Sequence, residues 1–384
     1  MSRPLVVFVA PPTGTFTPTH SGALSTNIHE CALQARLDGF EPVVIARRGP
    51  SDVAVWDDVR VHLVEFPDVR AGSFGEKVGR LERRMLGWRH VGQRVYSARL
   101  ARVLCANGLG DAPVVMSNDP DGAVFLRSRL PHTTLLHRFH NQMESKPRVR
   151  KALGRSVDAT LCVSDFTRRW VEKHYSLEAR TVYNGVNLGE FFPAPAPPEG
   201  VPVLNFVGRT GHEKAPDIFL EAARLLSETR RDFAVQLVGA NHWGEGTPDD
   251  FQRKLQWLCG EIERGGVTVR QTGHVPRARI AAEFRRAHVH IVPSRWDEPF
   301  GLTTLEGMAC GLATIASNTG GSPEIIGDAG QLFERDNAAD LATKIALWLD
   351  DAALRRDFAA RAHARAQEFS WARTWGGIRA SIEA

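Results

Sequence analysis

Between residues 203 and 316 the sequence repeats one pattern, a short apolar run followed by a helical stretch. The apolar runs are 203–207, 234–238, 267–271, 288–292 and 313–316, and helices are predicted over 217–226, 252–264 and 277–286 and from about 302. Strands buried on both faces read as continuous apolar runs, so the pattern predicts a parallel sheet with helices on either side. The N-terminal half follows the same rule less sharply. Strands are predicted at 5–10, 43–46, 114–116, 133–139 and 160–163, and helices over 24–37 and about 76–105.

A stretch with five prolines in ten residues, 193–202, separates the halves. Proline cannot continue a helix or sit in a central strand, which makes this segment a linker. The expected fold is α/β, two Rossmann-like β/α/β domains facing each other across a cleft. The first spans 1–192 and the second 203–365, with a C-terminal helix, 366–384, crossing back to the first. The 384 residues suit two domains of ordinary size.

Five cysteines, at 31, 105, 162, 259 and 310, form no C-x-x-C pair. An odd, scattered set argues against a disulfide framework and a zinc ribbon, and favours reduced buried thiols. The apolar run 5–10 ends at Pro11-Pro12 and is too short for a secretory signal. No run reaches the roughly 18 apolar residues of a spanning helix. The expected location is cytoplasmic, with a peripheral position at the inner face of the plasma membrane as a variant.

In open α/β sheets, ligands bind beyond the carboxyl ends of the strands. After the run 203–207 comes Gly208-Arg-Thr-Gly-His-Glu-Lys214. Glycine allows close backbone approach, and Arg209 and Lys214 suit a diphosphate, although such a loop taken alone is more often a solvated turn. Neither a Walker loop nor G-x-G-x-x-G is present. After the run 288–292 comes Glu298-Pro-Phe-Gly-Leu-Thr-Thr-Leu-Glu306, with a helix opening near Leu302. A helix N-terminus suits a phosphate, and a carboxylate accepts hydrogen bonds from vicinal hydroxyls. Either glutamate alone could be a surface charge. Two of them around Pro-Phe-Gly, beside a buried strand, point to a sugar or ribose site.

This segment resembles the E-x7-E element of the GT-B glycosyltransferases of family 4, glycosyl transferases group 1. Gly208-Arg209 with Lys214, Gly273-His-Val-Pro276, Val292-Pro-Ser294, Gly320-Gly-Ser-Pro-Glu324 and Asn184-Gly-Val-Asn187 resemble further family elements in the family's order. The resemblance implies a retaining transfer of a hexosyl unit from a UDP- or GDP-sugar to a hydroxyl. It implies no cofactor and no metal; the nucleotide sugar is a co-substrate. Arg209 and Lys214 would hold the diphosphate, Glu306 the ribose and Glu298 the sugar hydroxyls. The backbone of Gly301, Leu302 and Thr303 would meet sugar or phosphate. Gly22 and Ala23 would approach the diphosphate, and His140 would sit near the reaction centre. Gly208, Gly273, Val275 and Phe300 complete the implied donor site. His137, a neighbour of His140, reads more simply as a locally packed strand histidine. The sequence departs from the family pattern at Ala23, Phe40, Ala215, Gly307 and Ala313, none of which removes a charged donor-binding group.

The acceptor falls to the N-terminal half. Residues 1–190 hold 26 Lys/Arg and 19 Asp/Glu, 26 − 19 = +7, whereas the remainder holds 22 and 25, 22 − 25 = −3. Arg83, Arg84, Arg89, Arg94, Arg99 and Arg102 punctuate the segment 81–104, and Lys146, Arg148, Arg150, Lys151 and Arg155 form a second cluster. Basic amphipathic segments suit an anionic membrane or a phosphorylated acceptor. Saccharide, lipid-linked or phosphorylated acceptors are expected, in cell-envelope polysaccharide or lipopolysaccharide assembly, and no nucleic acid. Alternatives are a sugar-nucleotide 2-epimerase on the same scaffold and a non-catalytic sugar-nucleotide-binding protein. The missing dinucleotide fingerprint disfavours a dehydrogenase.

Overall fold

The computed structural model describes residues 3–12, 14, 16–18, 22–49, 53–67, 92–196, 198–240 and 249–384. The chain divides into two compact units, Met1–Gly185 with Trp371–Ala384, and Val186–Ser370. The first unit runs β1 (Leu5–Val9), α1 (Ala23–Leu37), β2 (Glu41–Arg47), β3 (Val55–Trp56), β4 (Val59–Val64), α2 (Gln93–Ala106), β5 (Val114–Ser117), α3 (Pro120–Arg127), β6 (Leu135–Phe139), α4 (Pro147–Ser156), β7 (Ala159–Cys162), α5 (Asp165–Tyr175) and β8 (Arg180–Thr181). The second runs β9 (Val203–Val207), a 3-10 turn (His212–Lys214), α6 (Pro216–Ser227), β10 (Ala234–Val238), α7 (Asp250–Arg264), β11 (Thr268–Gln271), α8 (Arg277–Phe284), β12 (Val289–Val292), α9 (Leu302–Ala309), β13 (Ala313–Ser317), α10 (Ser322–Ile326), β14 (Gln331–Phe333), α11 (Ala338–Asp350) and α12 (Ala352–Ala366). The last helix, α13 (Trp371–Ile382), belongs to the first unit.

The first sheet has the order β3-β4-β2-β1-β5-β6-β7-β8 and is parallel except for the β3–β4 hairpin. The second, β11-β10-β9-β12-β13-β14, is wholly parallel. Val6, Val7, Phe8 and Val9 are all buried, as expected of a strand covered on both faces. Leu204, Phe206, Val235, Leu237, Val289 and Ile291 share the second core, each such side chain contributing about 1.5–3 kcal/mol on burial. β1 lies between β2 and β5, and β9 between β10 and β12. The winding reverses at these strands, so the loops after β9 and β12 open side by side.

The proline-rich stretch belongs to the second unit. Just before it, Phe191 packs on Phe284 at 6.1 Å. At its start, Pro193 lies against Gly311, where an added Cβ would come within 3.2 Å of the ring. The last helix is fastened to the first unit through Trp375. Its ring meets Phe8 and Phe40, and its indole N–H donates to Asp38 at 2.7 Å. Phe40, a departure from the family pattern, is thus part of an aromatic anchor. Of the long helix predicted over 76–105, the C-terminal part is α2. Residues 68–91, including Arg83, Arg84 and Arg89, lie outside the described residues.

Candidate functional site

The loops after β9 and β12 bring Lys214 and Glu298 together. Lys214 Nζ donates to Glu298 Oε1 at 2.5 Å, and the Ser294 hydroxyl donates to the same oxygen at 2.5 Å. Glu298 is only 3% exposed. Burial alone would push its carboxyl up. The Lys214 charge and the hydrogen bonds from Lys214 and Ser294 outweigh it and hold the group below its ordinary range. Lys214 also lies 5.7 Å from the centre of the Trp296 ring.

Arg295 locks the two loops in register. Its guanidinium makes two 2.8 Å bonds to the buried Asp217 at the start of α6. Its backbone N–H donates to Glu213 O at 2.9 Å, and Nη1 reaches His212 O at 3.2 Å. The turn before Lys214 is therefore held from the neighbouring loop. A third loop, after β13, packs on the Glu298 backbone. Gly321 N–H donates to Glu298 O at 2.7 Å, and a Cβ on Gly320 would stand 2.3 Å from that oxygen. Gly320 also has φ +59, so only glycine fits there without strain.

α9 starts at Leu302 after Gly301, whose φ is +92. Gly301 supplies no side-chain cap, so the first-turn N–H groups of Leu302 and Thr303 have no acceptor from the capping residue. Such an end attracts an anion. Phe300 is buried against Phe369 at 6.2 Å and fixes the turn. Glu306, within α9, is buried and accepts from Arg277 Nη1 at 2.6 Å. Here burial wins over Arg277, and the carboxyl is held above its ordinary range. Gly307 has a local cause: a Cβ there would meet the His290 ring at 2.5 Å.

Not every predicted residue joins this cluster. The Arg209 side chain is 72% exposed, with Glu213 at 3.8 Å. Gly208 and Gly273 both meet Gly239: Gly239 N–H donates to Gly273 O at 3.0 Å, and a Cβ on Gly239 would strike Gly208 O. Val275 is half-buried in the loop before α8. In the first unit, Gly22 caps α1 with an ordinary φ of −82 and Ala23 opens it. His140 follows β6. Its backbone N–H donates to Asn118 Oδ1 at 2.8 Å, and its buried Nε2 has no partner among the described residues. Burial, with Arg138 and His137 nearby, keeps its imidazole neutral well below pH 6.5. His137 accepts from Asp119 N–H at 3.1 Å and packs edge-on against Phe139, as a locally capped strand histidine does. Sequence reasoning gave no role to Arg277, Ser294, Arg295, Asp217 or Arg138. Only Ser294, four residues before Glu298 in Val292-Pro-Ser294, stood in a motif already singled out.

The family model for glycosyl transferases group 1 matches residues 189–365, and the model for glycosyltransferase family 4 matches 24–190. The chain belongs to the family 4, group 1 glycosyltransferases. Among curated relatives, it is 31% identical over 233 residues to a phosphatidyl-myo-inositol mannosyltransferase of Mycolicibacterium smegmatis, covering 59% of this chain and 56% of the relative. The chain thus spans little more than half the length of that relative. Among solved structures it is similar to sucrose-phosphate synthase from Thermosynechococcus elongatus, at 21% identity and TM-score 0.75 over 98% of both chains. It is also similar to Alr3699/HepE of Anabaena, solved in complex with UDP and glucose, at 17% identity and TM-score 0.72 over 99% of both. These likenesses fix the fold as GT-B. Within this glycosyltransferase scaffold, the Lys214–Glu298 pair lies at the winding reversal of the second sheet, and the Arg277–Glu306 pair adjoins it.

Proposed function

We propose that the chain is a retaining, metal-independent hexosyltransferase that uses a UDP- or GDP-sugar. The observation that carries this reading is the pair of the buried Glu298 and the half-buried Lys214 beside the uncapped start of α9. An ammonium and free helix N–H groups suit the diphosphate, and a buried carboxylate suits sugar hydroxyls. In the reaction the C1–oxygen bond to the diphosphate breaks, and the diphosphate leaves with the electron pair. Lys214, Arg209 and the start of α9 offset the charge that develops there. The acceptor oxygen bonds to C1 on the face the diphosphate vacates. Its proton passes to a departing phosphate oxygen, so no protein base is needed. Glu298 orients the sugar, and Glu306 the ribose.

For the acceptor we infer a saccharide, lipid-linked or phosphorylated molecule of cell-envelope assembly, met at the inner face of the plasma membrane. α4 supports this. It exposes Arg148, Lys151 and Arg155 and buries Val149 and Leu153 on the opposite side. Among the described residues, no helix is long and apolar enough to cross a membrane. Binding to anionic vesicles at low salt, lost at high salt, is expected; no co-sedimentation at low salt would remove the membrane element alone.

The donor reading is tested by a thermal-shift screen of UDP- and GDP-sugars, because a ligand that binds only the folded state raises its melting point. NMR of the product made from a stabilising donor then reads the anomeric configuration, with and without EDTA. Inversion, or loss of activity in EDTA, would refute the retaining, metal-independent mechanism.

A further inference from the structure

The strands that carry the two site loops share little backbone. Among the described residues, β12 pairs with β9 only through Val289↔Leu204 and His290↔Asn205. Beyond that register each strand runs on beside its outer neighbour, β9 to Val207 with β10 and β12 to Val292 with β13. The crevice opens there, and Lys214 and Glu298 stand on the loops that follow. At this last shared register the side chains of His290 and Asn205 are bonded to each other, Nδ1 to Oδ1, at 2.7 Å. Both residues are fully buried.

A polar pair inside an apolar core needs a reason. Leu204, Phe206, Val289 and Ile291, on the same two strands, are apolar and also buried. An amide oxygen can only accept, so the His290 proton sits on Nδ1. Burial draws the imidazole pKa down to about 3, which keeps the ring neutral. Its Nε2 and the Asn205 Nδ2 are buried and make no hydrogen bond among the described residues. Two such atoms lower stability in a way that an apolar pair would not. Stability therefore does not explain the pair. What it supplies is direction. A hydrogen bond of this length holds two strands at one spacing and one register, whereas apolar contact is non-directional.

The same ring seats α9. A Cβ on Gly307 would stand 2.5 Å from it, so the helix backbone comes down onto the imidazole itself. Phe284, at the end of α8, packs edge-on against the ring with centroids 5.0 Å apart. Gly307 is one of the departures from the family pattern, and its missing methyl and the imidazole fit one another. α9 is eight residues long, so the turn that rests on His290 fixes the turn that begins at Leu302.

We propose that His290 is a positioning residue for the transfer reaction: held by Asn205 and seated under Gly307, it fixes the start of α9 relative to the Lys214 loop. This rests on the reading of that start as a diphosphate site. The N–H groups of Leu302 and Thr303 and the ammonium of Lys214 must converge on one anion. Hydrogen bonds to charged groups are short and directional, so a small shift of α9 against β9 separates them.

A packing role competes with this one, and two substitutions tell them apart. His290→Leu fills the space but cannot donate to Asn205. His290→Asn leaves space empty, but its amide nitrogen takes the place of Nδ1 and keeps the bond. Isothermal titration of the full chain with UDP and with GDP, on samples whose thermal melts show a folded protein, reads the difference. His290→Leu is expected to weaken the tighter nucleotide about tenfold or more, the worth of a hydrogen bond to a charged group, and His290→Asn to stay within about threefold of the native protein. Asn205→Leu removes the same bond from β9 and should weaken binding as His290→Leu does, which keeps the test open if one variant does not fold. A packing role predicts the reverse order. Native-like binding by His290→Leu, or an equal loss in both His290 variants, overturns the proposal. If neither UDP nor GDP binds the native protein, the diphosphate reading fails and the proposal with it, an outcome seen before any variant is made.

Discussion

The two sheets reverse their winding in the same way, yet they treat buried charge differently. At the reversal of the second sheet, Lys214 faces Glu298, Arg295 faces Asp217 and, next to it, Arg277 faces Glu306. In the first unit the buried Arg138 is held by neutral groups. It donates to Asn27 Oδ1 at 2.8 Å, Asn184 Oδ1 at 3.0 Å, Val182 O at 3.1 Å and the Cys31 sulfur at 3.4 Å. No carboxylate pairs with it among the described residues. Asp119, beyond β5, accepts from the Gln93 amide at 2.6 Å and from Gly122 N–H at 2.9 Å. The lesson concerns exchange. An ion pair can open to admit a charged ligand, with one electrostatic partner replacing another. A guanidinium enclosed by amides and carbonyls, with no route to solvent, is a brace. In the second unit the buried carboxylates are paired with cations, whereas in the first the buried guanidinium is held by neutral groups.

The sharpest way to break this comparison is Lys214→Ala. It should lower turnover by roughly 10²–10³-fold, the scale of losing a charge-stabilising donor at a departing group. Glu306→Ala should instead act mainly on donor affinity. Steady-state kcat and nucleotide Kd for the two variants read this directly, and normal kinetics in both would refute the site assignment.

Next in size is Arg138→Ala. It strands several buried acceptors, at about 1–3 kcal/mol each, partly offset because a desolvated charge is removed. Urea denaturation should show a loss of about 3 kcal/mol. A neutral result would mean that Arg138 is no brace.

The two glutamates should respond to pH with opposite signs. Glu298 has a depressed native pKa, so its contribution is present above the ordinary 4.5 and is lost as pH falls through the native value. Glu306 has a raised native pKa, so its contribution is full below 4.5 and is lost as pH rises through the native value. At pH 7, Glu298→Gln should lower the melting temperature and Glu306→Gln should raise it. Both differences should shrink in acid. Like signs at pH 7 would contradict the assigned environments.

The smallest test uses the backbone. Ala215 and Asn118 both sit in the left-handed region, each with φ +50, in loops beyond β9 and β5. Asparagine tolerates that conformation and here its side chain also accepts from His140 N–H. Alanine has no such compensation. Ala215→Gly should stabilise by up to about 1 kcal/mol, whereas Asn118→Gly should destabilise. Thermal melts of the pair give the comparison.

The strands of the second unit were legible because buried parallel strands leave continuous apolar runs, and Val203–Val207 and Ala234–Val238 stand at their predicted bounds. The β3–β4 hairpin was not. Its strands are short, and its turn uses Asp57 and Asp58 at φ +47 and +61 instead of the usual glycine. α4 and α5 also escaped, because Arg and Lys dilute their apolar stripe. Around the site, Glu298, Glu306 and Lys214 were visible because they follow strands. Arg277, Arg295 and Asp217 were not, since a charged residue near a helix start is an ordinary surface feature in sequence.

The segment from Glu298 to Glu306, read alone, determined that two carboxylates flank a helix start after a buried strand. Local sequence sets strand, turn and cap, so it could determine that much. Only the tertiary structure decided what each carboxylate meets. Lys214 is 84 residues from Glu298, and Arg277 is 29 from Glu306. Strand order joins them, and strand order follows from how the helices cover both faces of the sheet, which no local periodicity records.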